Sequence, residues 1–150
     1  MSGRLYVVGL GPGGAHQMTP EAAAAVEAAD ALYGYIPYLA RLPERAGQMR
    51  VPSDNRQELE RAGAALEAAA AGATVAMVSG GDPGVFAMAA AVCEAIEKGP
   101  QAWRAVELQV VPGVTAMLAV AARMGAPLGH DFCALSLSDN LKPWDLVEKR

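Results

Sequence analysis

Short apolar, β-branched runs alternate along this chain with longer Ala-rich segments, and that alternation predicts strands and helices in turn. Residues 4–8 read as a buried first strand running into Gly9-Leu10-Gly11-Pro12-Gly13-Gly14. The first helix then starts late. Thr19 is its N-cap, Pro20 takes the first helical position, and Glu21 faces the positive end of the dipole. A brief strand over 31–33 and a loop over 34–38 follow, then an irregular stretch over 40–52 that carries Arg41, Arg45 and Arg50. Ser53 or Asp54 is expected to cap a long helix over 55–71 that stops at Gly72. Residues 73–78 form the next apolar run, and an Ala-rich helical pattern over 86–97 ends at Lys98-Gly99-Pro100. A further strand over 106–111 enters Pro112-Gly113-Val114-Thr115-Ala116, whose helix reaches Met124 and stops at Gly125. Residues 132–137 are the last strand candidate. Ser138-Asp139-Asn140 makes a polar tip, and Pro143-Trp144 opens a helix still running at Arg150, which suggests a fragment of something longer.

Strands and helices alternating at this spacing define an α/β fold, a mostly parallel sheet of about five strands flanked by helices. The length of 150 residues suits one domain, and 53% hydrophobic content describes a globular chain with a full core. A net charge of −4 leaves no basic footprint for nucleic acid or an anionic membrane surface. No apolar run approaches the ~20 residues that span a bilayer. Cys93 and Cys133 sit in apolar runs and read as buried thiols of a reducing compartment. His16 and His130 lack ligands at metal-binding spacing, so no metal is expected. The opening Met-Ser-Gly-Arg shows no signal peptide, which makes the cytoplasm the expected location.

The chain is organised around Ser79-Gly80-Gly81-Asp82-Pro83-Gly84-Val85-Phe86, where a strand runs into a Gly-rich turn and then a helix. Open α/β sheets place ligands at such turns. Gly80, Gly81 and Gly84 permit positive φ and close approach to the backbone, Pro83 stiffens the turn, and Asp82 sets one carboxylate among them. That carboxylate disfavours a phosphate and suits an ammonium or hydroxyl donor. The plainer alternative is a tight turn with Asp82 as a helix cap. Gly9, Gly11 and Gly14 formally match a dinucleotide fingerprint. Pro12 interrupts it, the helix waits until Pro20, and no acidic residue follows the second strand, so a dinucleotide site is set aside. Gly-Pro-Gly, Gly-Gly-Asp-Pro and Pro-Gly-Val-Thr would all lie at the carboxyl edge of one sheet, forming one crevice lined mostly by backbone.

Those three loops, Val8-Gly9-Leu10-Gly11-Pro12-Gly13, Ser79-Gly80-Gly81-Asp82-Pro83 and Val111-Pro112-Gly113-Val114-Thr115-Ala116, resemble the motifs of the tetrapyrrole (corrin/porphyrin) methylase family. The resemblance covers essentially all 150 residues. Tyr33-Gly34-Tyr35-Ile36-Pro37-Tyr38-Leu39, the run 79–89, and Leu135-Ser136-Leu137-Ser138-Asp139 leading to Lys142-Pro143-Trp144 are similar to the branch that methylates precorrin-3B at C(17). The resemblance implies that residues 1–150 are an N-terminal α/β domain and that a second α/β domain of roughly 100 residues is missing. It also implies S-adenosyl-L-methionine as cofactor, leaving as S-adenosylhomocysteine, folded between the two domains. Its contacts on this half would be Pro12, Gly80, Gly81, Asp82, Val85, Thr115 and Ala116. The implied reaction is methyl transfer to C(17) of precorrin-3B with ring contraction to precorrin-4, in cobalamin biosynthesis, by a homodimer of the full-length protein. Two departures stand out. Related uroporphyrinogen methylases carry an acidic residue where this chain has Gly34, so a general base there cannot be carried over. Many members of the branch read Ala-Gly-Val-Tyr in place of Pro83-Gly84-Val85-Phe86.

Methyl transfer is an in-line displacement, so positioning can supply most of the catalysis. Ring contraction needs proton management, which makes Ser138, Asp139 and His130 the catalytic candidates, with Asn140 and Asp131 beside them. The plainer readings are that the Ser138 tip caps the following helix and that His130 closes a turn. A polycarboxylate substrate would draw on Arg41, Arg45, Arg50 or Arg56, each otherwise a solvated surface arginine. The alternatives are another tetrapyrrole methylase specificity, or an isolated half-domain that folds and associates through an uncovered apolar surface but turns nothing over.

Overall fold

The computed structural model describes residues 3–137 together with Asp145 and Glu148. Five strands, β1 (Arg4–Gly9), β2 (Ala31–Tyr35), β3 (Met49–Ser53), β4 (Thr74–Ser79) and β5 (Glu107–Val111), form one sheet in the order β3-β2-β4-β1-β5. Every neighbouring pair is parallel. The helices are α1 (Pro20–Ala28), the single turn α2 (Ile36–Leu39), α3 (Glu58–Ala70), α4 (Met88–Lys98) and α5 (Ala116–Arg123). Among the described residues no helix is long and apolar enough to cross a membrane.

Strand alternation splits the core into two layers. Leu5, Val7, Tyr33, Val75 and Met77 point to the face covered by α3 and α4. Val8, Leu32, Ala76 and Val78 point to the face covered by α1 and α2. Central strands covered on both sides lose the polar half of the alternation, which is why β1 and β4 read as near-continuous apolar runs. On α3, Ala62, Ala65, Leu66 and Ala69 form the fully buried stripe, and the small side chains let the helix lie close to the sheet.

The α/β sheet of five strands is as expected, but its membership differs. β3 falls in the stretch read as irregular. It is an edge strand bearing Pro52, whose missing N–H is tolerated only where no outer strand needs it. Residues 132–137, read as a strand, are irregular and mostly exposed, and the fifth strand is therefore β3. β2 continues through Gly34 and Tyr35 before α2, where a loop was expected. α3 starts at Glu58, later than 55, because Ser53 ends β3 and accepts from Arg61 Nε, while Asp54 Oδ1 accepts from Asn55 N in a preceding turn. α4 begins only at Met88, six residues past Asp82. Thr19 does cap α1, its Oγ1 accepting from Ala22 N at 3.1 Å. Cys93 and Cys133 are exposed rather than buried. Cys93 sits one position past Val92, a hundred degrees round the helix from the buried stripe of Met88 and Val92. Cys133 lies in the irregular segment after α5.

Candidate functional site

The carboxyl ends of β1, β4 and β5 carry the three Gly/Pro loops, and the structure interlocks them through their backbones. Gly11 N donates to the Gly81 carbonyl at 3.1 Å, and Gly81 N donates to the Gly11 carbonyl at 2.9 Å, a reciprocal bridge between the first and second loops. Both residues hold positive φ, 71° and 64°, which side-chain-bearing residues rarely adopt. Gly80 and Gly84, expected to share that freedom, do not have positive φ. A methyl group on Gly9 would stand 2.6 Å from the Gly81 carbonyl oxygen, 2.8 Å from Pro83 Cδ and 2.9 Å from Gly113 Cα. All three loops thus meet at Gly9.

Asp82 ties the second loop to the third. Its Oδ1 accepts from Gly84 N at 2.8 Å within its own turn, and its Oδ2 accepts from Gly113 N at 3.0 Å. It is not the cap of α4, whose N-cap is Ala87. The Tyr38 ring lies over Gly80, where an added Cβ would meet it at 2.8 Å, and packs edge-to-face against Tyr35 at 5.5 Å between centroids. Phe86 projects from the same loop, 60% exposed, with φ 51°, a strained conformation for an aromatic residue.

The third loop delivers Thr115 as the N-cap of α5, with a side chain that makes no capping bond. The first amides of α5 therefore face out of the helix, as helix N-termini do, and Ala116 N approaches the second loop near Gly81. Pro12, Gly80, Gly81, Asp82, Val85 and Thr115 are all half-buried along this edge, and Ala116 is exposed. The structure thus brings the second- and third-loop candidates together directly and joins the first loop, which carries Pro12, through the Gly11–Gly81 bridge. Sequence reasoning missed Ser79 as a separate element of the site. Its Oγ is buried at the end of β4 without a hydrogen-bond partner among the described residues, and nothing in the sequence separates it from an ordinary small strand residue.

The catalytic candidates fare differently. His130 is exposed in the segment after α5 and makes no hydrogen bond to the loops. Ser138 and Asp139, like Asn140, lie outside the described residues. Among the described residues no group of three His, Cys, Asp or Glu side chains could hold a metal ion. The arginines expected to meet a substrate mostly hold the fold. Arg41 donates to the carbonyls of Leu10 (2.9 Å), Gly11 (3.0 Å) and Gly13 (2.5 Å), bracing the first loop. Arg45 pairs with Glu27 at its carbonyl and carboxylate, and Arg50 binds the carbonyls of Leu39, Leu42 and Pro43. At Gly34 the missing acidic side chain has no room: a Cβ would stand 2.7 Å from Val78 Cγ2.

Five parallel strands with three glycine loops closing one carboxyl edge make an α/β domain with a backbone-lined ligand edge. The profile of the Tetrapyrrole (Corrin/Porphyrin) Methylases matches residues 4–150, and the chain belongs to that family. It is 71% identical over 150 residues to a precorrin-3B C(17)-methyltransferase of Sinorhizobium sp, covering all of this chain and 59% of that protein. Among solved structures, the methyltransferase CobJ superposes with a TM-score of 0.93 at 56% identity, over 99% of this chain and 62% of that one. The uroporphyrin-III C-methyl transferase from Thermus thermophilus, complexed with S-adenyl homocysteine, superposes with a TM-score of 0.64 at 31% identity, over 89% of this chain and 57% of that one. The chain spans about three-fifths of the length of these relatives.

Proposed function

We propose that this chain is the N-terminal, cofactor-binding half of a cytoplasmic S-adenosyl-L-methionine-dependent methyltransferase. The reaction is methyl transfer to C(17) of precorrin-3B with ring contraction to precorrin-4, in cobalamin biosynthesis. The observation that carries the proposal is the interlocked three-loop edge in a chain 71% identical to an enzyme named for that reaction. The cofactor reading is supported by one solved relative complexed with S-adenyl homocysteine. The groups left open at this edge also fit it: the orphan hydroxyl of Ser79, the uncommitted hydroxyl of Thr115, and the outward amides at the start of α5.

When bound, S-adenosyl-L-methionine supplies an electrophilic methyl group on a sulfonium. The residues of this chain bind and orient it. Thr115 and the Ala116 amide offer donors, Asp82 and the loop carbonyls offer acceptors, and Pro12 and Val85 supply apolar contact. The sulfonium charge is lost as the methyl moves, which favours a slot that works by desolvation and alignment. The exposed Phe86 ring and the Tyr38 ring over Gly80 are the aromatic groups the second loop offers to a macrocycle. Ser138, Asp139 and His130 remain the proton-handling candidates of the reading. A second domain and a homodimer complete it, and the exposure of Leu118, Val120, Met124, Phe132 and Leu137 from α5 onward supports a covering partner.

The test is to incubate the protein, at the full length of its relatives, with precorrin-3B and S-adenosyl-L-methionine and to follow product mass. A gain of one methyl group, placed at C(17) by NMR of the product, supports the reading, and no methylation of precorrin-3B, or methylation elsewhere on it, replaces it with another specificity in the family.

A further inference from the structure

We propose that the cavity between β3 and the first turn of α3 is a carboxylate-binding site built around Arg61. The inference does not depend on the methyl-transfer reading. Arg61 is only 6% exposed, and an arginine this buried is ordinarily paired with an acid. Among the described residues none forms an ion pair with it. Its Nε donates to Ser53 Oγ at 2.5 Å, Nη2 to the Asp54 carbonyl at 2.6 Å, and Nη1 to Met88 Sδ at 3.4 Å. A guanidinium has five N–H groups, so part of its donor fork is left without an acceptor. Burial holds its pKa below the usual arginine value, with only the field of Glu58 and Tyr38 acting against it.

Beside this cation lies a cavity of about 190 Å³, lined by Tyr33, Val51, Ser53, Gln57, Glu60 and Arg61 among others. Its polar lining can present donors from Tyr33, Ser53, Gln57 and Arg61 beside one carboxylate, Glu60. The Tyr33 hydroxyl makes no hydrogen bond among the described residues, and Ser53 Oγ, which accepts from Arg61, keeps its own proton to give. Gln57 Oε1 is engaged by Asp54 N at 2.9 Å, which leaves the amide N–H groups free. Glu60 is the single acidic side chain and is exposed at the rim. Donors converging on a guanidinium that has no carboxylate partner among the described residues favour an anion. The planar fork matches a carboxylate, Val51 offers apolar contact for a short alkyl stem, and Glu60 disfavours a dianion. Ser53 ends β3 at the carboxyl edge of the sheet, so the carboxylate could belong to a free small acid or to a polycarboxylate macrocycle reaching across that edge.

The test follows the Arg61 Nε–H resonance by nitrogen-15 NMR while sodium propionate replaces sodium chloride at constant ionic strength. The expected result is a saturable shift, weakened about five- to tenfold by Tyr33→Phe and by Ser53→Ala. Both variants leave the packing in place, and their unfolding midpoints verify it. A response that never saturates, or one that both variants leave unchanged, overturns the proposal. With propionate bound, addition of uroporphyrin III separates the two sources. Displacement assigns the site to the macrocycle's carboxylates, and continued propionate occupancy assigns it to a free small acid.

Discussion

Asp82→Ala removes the side chain that joins the second and third loops. Two amide donors lose a charged acceptor: Gly84 N at 2.8 Å, largely solvated, and Gly113 N at 3.0 Å, partly buried. The exposed bond contributes about 0.5–1 kcal/mol and the partly buried one about 1–2 kcal/mol, because Gly113 N is left facing protein. The expected loss is therefore about 1.5–3 kcal/mol. Asp82→Asn keeps an acceptor for one amide but turns an NH₂ toward the other, and should fall between, at about 1–2 kcal/mol. Urea unfolding followed by circular dichroism reads this directly. With a slope of about 2 kcal/mol per molar, the Ala variant should unfold about 0.8–1.5 M earlier. A midpoint within about 0.3 M of wild type for Asp82→Ala would refute the idea that this carboxylate ties the loops, leaving it as a ligand contact only.

Gly9→Ala forces a methyl group into the meeting point of three loops and should destabilise by about 2–3 kcal/mol, read in the same urea series. Phe86→Asn relieves an aromatic residue at positive φ and gives up little packing, since the ring is 60% exposed. It should raise the calorimetric unfolding midpoint by about 2–4 °C. Thr19→Ala removes the bond from Ala22 N and should lower stability by about 1 kcal/mol, with Thr19→Ser restoring most of it.

Much of this fold was legible where local chemistry and tertiary structure agree. Thr19-Pro20-Glu21 announces α1 because its cap, its proline and its dipole charge all act within one turn. β1 and β4 were visible because strands covered on both faces cannot alternate. β3 was hidden because an edge strand can hold an arginine and a proline, and Arg50 is occupied in binding the carbonyls of the segment before it. Residues 132–137 carry a strand's apolar composition without a neighbour in the described sheet. At the site, the three loops could be placed at one edge from their order in the chain, but not the reason for their glycines. Gly9 and Gly113 serve contact between loops, and Asp82 spans two of them, which only the folded arrangement shows. The same holds for Arg41 and Arg50, which read as candidate substrate contacts and in fact bind backbone carbonyls.

The central claim is that the three-loop edge binds an S-adenosyl cofactor. Calorimetric titration of S-adenosylhomocysteine into the protein at the full length of its relatives tests it most directly, with Thr115→Val as the comparison. Saturable one-site binding is expected, weakened about five- to tenfold by Thr115→Val with no change in the unfolding midpoint. A folded protein that takes up no S-adenosylhomocysteine would contradict it.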